Sequence, residues 1–166
     1  HCEVYREWYH LAVREIVSLP DFKPDPEWIA TRLTPAITQT QAARSLELLE
    51  RLEFIKKENG KWLQSEPLLW QEAETLTDAR LLVVREYHRK MISLSKEALD
   101  RFPPAEREVG ALSLCISQTA MNKIRERMIS FQKEIMEMAG QDSLTPNALY
   151  QVNLQLFPLT TKLKDK

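Results

Sequence analysis

The sequence predicts an α+β protein that is mainly helical, with a winged helix-turn-helix followed by a helix and a strand–helix–strand unit. Only 3 of the 166 residues are Gly, and the long runs of Ala, Leu, Glu, Lys and Arg are typical of helices. Residues 38–62 have a helical period that changes to a short basic hairpin. Residues 109–158 have an alternating, a helical and again an alternating pattern. We therefore expect two domains, a winged-helix-like domain at residues 1–66 and a helical and strand–helix–strand regulatory or dimerisation domain at residues 67–166.

Two predicted helices open the first domain. Residues 3–18 carry apolar side chains at helical spacing, which predicts an amphipathic helix of about four turns. Leu19-Pro20 ends it. A short helix is predicted at residues 26–33, with Pro26 at its first position, where a missing N–H costs nothing.

The third helix and the hairpin after it, at residues 38–62, identify the domain type. Thr38 is a predicted N-cap, and Gln41 three residues later completes a capping box. Apolar residues then recur at helical spacing at Ala42, Leu46, Leu49, Leu52 and Phe54. Asn59-Gly60 predicts a tight turn with positive φ between two basic strands. A helix that leads into a basic hairpin is typical of the recognition helix and wing of a winged helix, which at the level of fold suggests nucleic-acid binding.

Four elements are predicted in the second domain, in order a long helix, a strand, a helix and a strand, at residues 75–100, 109–117, 117–140 and 149–158. Residues 67–75 are predicted to form an ordered linker before them. Ser117 is the predicted N-cap of the second helix and Gly140 its C′ residue. So long a crossover favours parallel strands with a right-handed connection. Two strands are too few to be stable alone, so they must join the hairpin, other strands or a second copy of the chain.

Composition limits the classes of partner. The formal net charge is -1, so there is no overall basic excess to attract nucleic acid. The two cysteines, Cys2 and Cys115, have no metal-type spacing and form no disulfide framework, which predicts a cytoplasmic protein. No apolar run is long enough to span a bilayer, so we expect no membrane partner. The chain begins at His1 without an initiator Met, and we expect it to be part of a longer protein.

The predicted DNA contacts lie on the third helix and the hairpin. The polar start of the helix would reach base edges through Gln39, Gln41, Arg44 and Ser45. The hairpin would meet phosphates through Lys56, Lys57 and Lys61. Against this, the same helix carries Glu47, Glu50 and Glu53, and an acidic surface loses the phosphate neutralisation that supplies much of the affinity. A protein-interaction or dimerisation role for the winged helix stays open.

Other candidate sites have plainer explanations. His10 and His88 lie beside aromatic residues without a cluster of further ligands, so we expect structural histidines and no metal site. Cys115 is a candidate redox-sensitive thiol, but it has no neighbouring basic cluster and is better suited to a sheet or dimer interface. Met121, Met128 and Met138 follow a helical stripe typical of core packing. No catalytic motif is present, so we expect no enzyme activity and no cofactor.

Four segments resemble an uncharacterised bacterial family of predicted transcriptional regulators. They are residues 5–16 (YREWYHLAVREI), 42–52 (AARSLELLERL), 87–91 (YHRKM) and 150–159 (YQVNLQLFPL). Members of that family carry a repressor/Cro-like N-terminal helix-turn-helix and a C-terminal domain of unknown function. The resemblance implies that this chain is the C-terminal domain. The family has no established catalytic or ligand residues, so no site is implied.

The leading hypothesis is therefore a C-terminal regulatory and dimerisation module of a bacterial transcription regulator. A homodimer is the expected assembly, with double-stranded DNA and other proteins as candidate partners. One alternative is a protein-interaction adaptor that does not bind DNA. Another is a small-molecule sensor with a pocket between the helices predicted at residues 75–100 and 117–140.

Overall fold

The computed structural model of the chain describes residues 2–65 and 77–161 and is α+β and mainly helical, as predicted. The α-helices described are Trp8–Ile16 (α1), Pro26–Arg32 (α2), Gln39–Arg51 (α3), Asp78–Arg101 (α4) and Gln118–Gln141 (α5). Strands Ile55–Glu58 (β1) and Lys61–Gln64 (β2) form an antiparallel two-stranded sheet. Short 3-10 turns lie at Cys2–Tyr5 and Pro104–Glu106.

The chain divides into two compact units. One comprises His1–Arg101 and Thr145–Gln151, and the other comprises Phe102–Leu144 and Val152–Lys166. Helix α4 therefore belongs to the same unit as α1 to α3 and the hairpin. The predicted domain boundary between residues 66 and 67 and the predicted linker at residues 67–75 lie outside the described residues.

The core of the first unit is built from α1, α2, α3 and β1. Helix α3 packs against both α1 and α2, and the 3-10 turn at Cys2–Tyr5 packs against α1 and α4. The completely buried side chains come from five different elements: Val4, Val13, Ile29, Leu49 and, at 2% exposure, Ile55. Three helices and a hairpin thus share one apolar interior.

Hydrogen bonds at the N-termini of three helices confirm where the sequence predicted these helices to begin. The Oγ1 of Thr38 accepts from the backbone N–H of Gln41 at 3.1 Å, and the Oε1 of Gln41 accepts from the N–H of Thr38 at 2.8 Å. These two bonds make the reciprocal capping box. Asp25 caps α2, with Pro26 following, and Ser117 caps α5 by accepting from the N–H of Ala120 at 3.1 Å.

The predicted hairpin turn is also confirmed. Asn59 has φ 50° and Gly60 has φ 77°, as a two-residue turn that matches the twist of its strands requires. In the resulting register Lys57 faces Trp62 and Glu58 faces Lys61.

Helix α3 ends earlier than predicted, in a Schellman arrangement. The N–H of Phe54 donates to the carbonyl of Leu49 at 2.9 Å, and the N–H of Glu53 donates to the carbonyl of Glu50 at 3.0 Å. Between these bonds Glu53 adopts φ 60°, a left-handed conformation usually occupied by glycine. Because the apolar residues continue at helical spacing through Phe54, the sequence pattern did not show where the helix ends.

Two other helix predictions need correction. The helix predicted at residues 3–18 is divided, because Glu7 is extended with φ -128° and α1 begins only at Trp8. The preceding 3-10 turn buries Val4 completely, so packing overrode the helical period. Gly140 lies inside α5, whose C-cap is Asp142, and is not its C′ residue.

The predicted strand–helix–strand unit is wrong in its strands. Residues 109–117 and 149–158 form no strand, and the described sheet consists of β1 and β2 alone. Leu112 and Leu114, which the alternating pattern places on one face of the first predicted strand, are 87% and 58% exposed. An alternating pattern becomes a strand only where another strand accepts and donates its backbone hydrogen bonds.

Candidate nucleic-acid interface

The predicted DNA-contact residues lie at the start of α3 and on the hairpin. Gln39 and Arg44 are exposed. Gln41 is half-buried, and its side chain accepts from the backbone of Thr38 within the capping box. Its amide group therefore has a structural role at the helix start, whereas the side chains of Gln39 and Arg44 are accessible to solvent.

Ser45 lies in the interior. Its side chain is 0% exposed, and its Oγ is 2.7 Å from the Nδ1 of His10 on α1. The structure does not support a base contact by Ser45, because this hydroxyl links α1 to α3. Ala42 and Leu49, at helical spacing from Ser45, are also fully buried, and that spacing is the sequence signal that would have placed Ser45 inside.

His10 is a structural histidine, as predicted. It is 8% exposed and hydrogen-bonded to Ser45. Burial lowers the pKa of His10 below its usual value, and the negative charge of Glu3 opposes part of this effect. His88, by contrast, is exposed on α4, where its ring meets that of Tyr87 edge-on with the centroids 6.0 Å apart.

The hairpin lysines do not share one face. Lys56, Lys57 and Lys61 are all exposed. Side chains alternate along a strand, so the register places Lys56 with Glu58 and Lys61 on one face and Lys57 on the other. The ammonium of Lys56 is 2.7 Å from a carboxylate oxygen of Glu58. Lys56 is therefore paired with a carboxylate within the hairpin itself.

Acidic side chains border the candidate interface. Glu47 and Glu50 are exposed on α3, and Glu53 is exposed directly after it. The guanidinium of Arg51 lies 2.9 Å from a carboxylate oxygen of Glu3. The basic groups therefore stand among carboxylates that repel phosphate.

A polar cluster fastens the hairpin to α1, and sequence reasoning missed it. Arg14 is 2% exposed and forms an ion pair with Glu15. The amide nitrogen of Gln64 donates to the carboxylate of Glu15 at 2.9 Å and to the carbonyl of Arg14 at 3.3 Å. A charged residue inside a helix gives no sequence signal of burial, because arginines in such patterns are mostly exposed.

An aromatic contact fastens the N-terminal turn to α4. The rings of Tyr5 and Tyr87 meet edge-on, with their centroids 5.4 Å apart and their planes at 87°. Aromatic pairs in proteins prefer this geometry. Burial, with smaller effects of Tyr5 and Glu15, raises the pKa of Tyr87 to about 12. Tyr87 is thus a packing residue that joins α4 to the N-terminal turn.

The second unit has no buried residue in its described part. Helix α5 has none along its whole length. Large apolar side chains are exposed throughout this unit, at Val109, Leu112, Leu114, Ile116, Ile129, Phe131, Met136, Met138, Leu144, Val152, Leu156, Phe157 and Leu159. The methionine stripe predicted as core is therefore not enclosed within the unit.

Cys115 is exposed, and Cys2 is half-buried. Across the described ranges, no group of three or more His, Cys, Asp and Glu side chains is arranged to hold a metal ion. Within the same ranges, none of the helices combines the length and apolar character needed to cross a membrane. Helices α4 and α5, between which a sensor pocket was predicted, belong to different compact units.

Comparison with known protein families identifies a match to this chain. The model of a protein family described as a domain of unknown function, DUF4423, matches residues 1–159. No curated protein and no solved structure matches the chain. The match covers all the described elements of both units.

Proposed function

This chain belongs to the DUF4423 family of domains of unknown function, and we propose that it is the regulatory and homodimerisation module of a bacterial transcription regulator. The observation that carries the proposal is the open apolar surface of the second unit. Its described residues include no buried side chain, while large apolar side chains are exposed on α5 and on both flanking segments.

Such a unit requires a further surface to cover it. Ordering each residue costs about 1–2 kcal/mol of backbone entropy, and apolar burial is the main term that offsets this cost. Moving a Leu, Ile, Phe or Met side chain from water to an interior contributes about 1.5–3 kcal/mol. Exposed apolar surface this extensive is typical of a protein interface.

A second copy of the chain is the partner that we propose. Closed twofold dimers are the commonest assemblies of soluble proteins. A second copy would also supply a pairing partner for residues 109–117, whose alternating pattern is that of a strand although the single chain forms no strand there.

A winged helix in the first unit is part of the proposal. Supporting it are the order of α1, α2, α3 and hairpin, their shared core, and the capping box that starts α3. A dimer would present two such units symmetrically, as palindromic half-sites require.

DNA binding by the exposed side chains of α3 and the hairpin is a second candidate function. The observation that favours it is the exposure of Gln39 and Arg44 on α3 and of Lys57 and Lys61 on the hairpin. A protein partner is the alternative, favoured by the exposed carboxylates of Glu47 and Glu50. The two alternatives differ in whether the basic side chains of the hairpin are needed for binding to the partner.

The test combines the mass in solution with DNA titration. Light scattering on the full chain should give a dimer, and a monomer at all concentrations would contradict the main proposal. Fluorescent duplex DNA is then titrated at low and at physiological salt. Binding that weakens steeply with salt supports phosphate contact, whereas no binding at low salt assigns the first unit to protein contacts.

A charge-reversal variant locates the DNA contacts. The variant carries Lys56→Glu, Lys57→Glu and Lys61→Glu. The matched control has the same change in charge on exposed positions of α4, with Arg80→Glu, Lys90→Glu and Lys96→Glu. Loss of DNA binding in the hairpin variant alone supports the hairpin as the contact. Equal losses in both variants would reject it.

A further inference from the structure

Helix α5 carries a continuous heptad seam. Its main apolar residues alternate at spacings of three and four over the helix: Met121, Ile124, Met128, Phe131, Ile135 and Met138. This spacing is that of the a and d positions of a two-stranded coiled coil. Met121, Ile124, Met128 and Ile135 are half-buried, while Phe131 is 49% and Met138 69% exposed. Part of every seam side chain is therefore accessible to a partner, most of all at Phe131 and Met138.

The pattern is symmetric about the middle of the helix. From the N-terminal end of the helix the first three seam residues are Met121, Ile124 and Met128. From the C-terminal end they are Met138, Ile135 and Phe131, so Met128 and Phe131 form the central pair. In an antiparallel pair of identical helices, each a position packs against a d position of the other. Two copies of α5 crossing at their centres would therefore use all the seam residues.

We propose that α5 pairs antiparallel with α5 of a second copy, and this rests on the homodimer proposed above. The outer layer joins Met121 to the partner's Met138, and the next layer joins Ile124 to the partner's Ile135. The central layer joins Met128 to the partner's Phe131. Twofold symmetry repeats each layer on the other side of the axis.

Charge complementarity selects this orientation. Arg127 and Glu134 flank the seam on the same side, at the g positions. In the antiparallel pair, Arg127 lies beside the partner's Glu134, and symmetry provides the same ion pair twice. In a parallel pair, Arg127 would meet Gln132 and Glu134 would meet Ala139 of the other chain, so no opposite charges would meet.

The side chains on the opposite flank of the seam favour neither the antiparallel nor the parallel direction. Arg125 at an e position lies beside the partner's Gln132 in the antiparallel pair. No two like charges face each other on either flank. The ion pairs of Arg127 and Glu134 therefore decide the register as well as the direction.

Disulfide trapping tests the orientation. The full chain is prepared with Cys2→Ser and Cys115→Ser, and Met121→Cys or Met138→Cys is added to it. In the antiparallel pair the two Met121 positions lie about 26 Å apart along the axis, at 1.5 Å per residue, beyond the reach of a disulfide. Met121→Cys alone should thus remain uncross-linked, and an equimolar mixture with Met138→Cys should form the mixed disulfide dimer under mild oxidation.

A charge exchange tests the contact without new cysteines. Arg127→Glu alone and Glu134→Arg alone each place like charges together, so each should raise the dimer Kd by about tenfold. Mixing the two variants should restore dimerisation as a heterodimer, because opposite charges face each other again. Arg125→Glu, on the flank beside Gln132, is the matched control and should leave Kd within about twofold.

The outcomes separate this inference from the proposal on which it rests. A dimer without the mixed disulfide and without an effect of Arg127→Glu overturns the α5 pairing and leaves the homodimer intact at another surface. A Met121→Cys chain that cross-links to itself overturns the antiparallel direction. A monomer by light scattering, with a different protein covering α5, overturns both.

Discussion

The hydroxyl of Ser45 lies 2.7 Å from the Nδ1 of His10, and both side chains are buried where α1 crosses α3. With the ring neutral and its proton on Nε2, the serine donates to Nδ1. This bond is the polar link in an otherwise apolar contact, and it gives both residues structural roles.

Removal of the Ser45 hydroxyl should destabilise the first unit. Ser45→Ala leaves a buried ring nitrogen without its partner, which costs about 1–3 kcal/mol. Urea unfolding followed by circular dichroism measures the change. Thr40→Ala, at an exposed position of the same helix, is the control and should be nearly neutral. Unchanged stability combined with weaker DNA binding in Ser45→Ala would contradict the structural role.

Stability should fall as the pH is lowered below the ordinary pKa of histidine. Burial lowers the pKa of His10 in the folded state, so the unfolded chain binds a proton first, below about pH 6.5. Stability is therefore fully present above that value and is lost as the pH falls toward the folded-state pKa. Urea midpoints between pH 5 and 8 check this, with His10→Gln expected to flatten the curve. A curve equally steep in His10→Gln would assign the dependence to other groups.

A similar loss is expected at high pH from Tyr87. Burial raises its pKa to about 12, while in the unfolded chain tyrosine ionises near pH 10. The folded state then holds the proton more tightly, so stability declines as the pH rises from 10 toward 12. Burial also raises the pKa of Tyr5 and of Tyr9, so absorbance titration of phenolate should show several late components, and Tyr87→Phe should remove the one near pH 12. Persistence of that component in Tyr87→Phe would assign it to another tyrosine.

Glu53→Gly should stabilise the chain. Glu53 holds φ 60° at the end of α3, and a left-handed conformation costs a residue with a Cβ about 1 kcal/mol relative to glycine. The gain is reduced by the larger backbone entropy of glycine in the unfolded chain. Thermal unfolding should show a rise in Tm. Glu50→Gly is a control with the opposite expected effect. Because Glu50 lies within the helix, where glycine is unfavourable, this change should lower Tm.

Local chemistry was readable in the sequence wherever neighbouring residues decide the structure. The Thr38 and Gln41 capping box, the Ser117 cap and the Asn59-Gly60 turn all formed as predicted. Each depends on hydrogen bonds or backbone preferences within a few residues. Helical periods likewise located α3, α4 and α5 to within a few residues.

Errors arose where a distant partner decides the outcome. The 3-10 turn at Cys2–Tyr5 forms because it packs against α1 and α4. Ser45 appeared in a polar helix start but is buried against His10. The hairpin lysines appeared as one basic run, and the register distributes them over two faces.

The sequence by itself determined the mainly helical α+β class, the helix caps, the hairpin turn and the heptad seam of α5, because these depend on short-range geometry and on the spacing of apolar side chains. Only the tertiary structure decided that Ser45 and Arg14 are interior residues and that residues 109–117 and 149–158 form no strand within one chain. Burial and strand pairing depend on which surfaces meet, and meeting surfaces come from segments that are far apart in sequence.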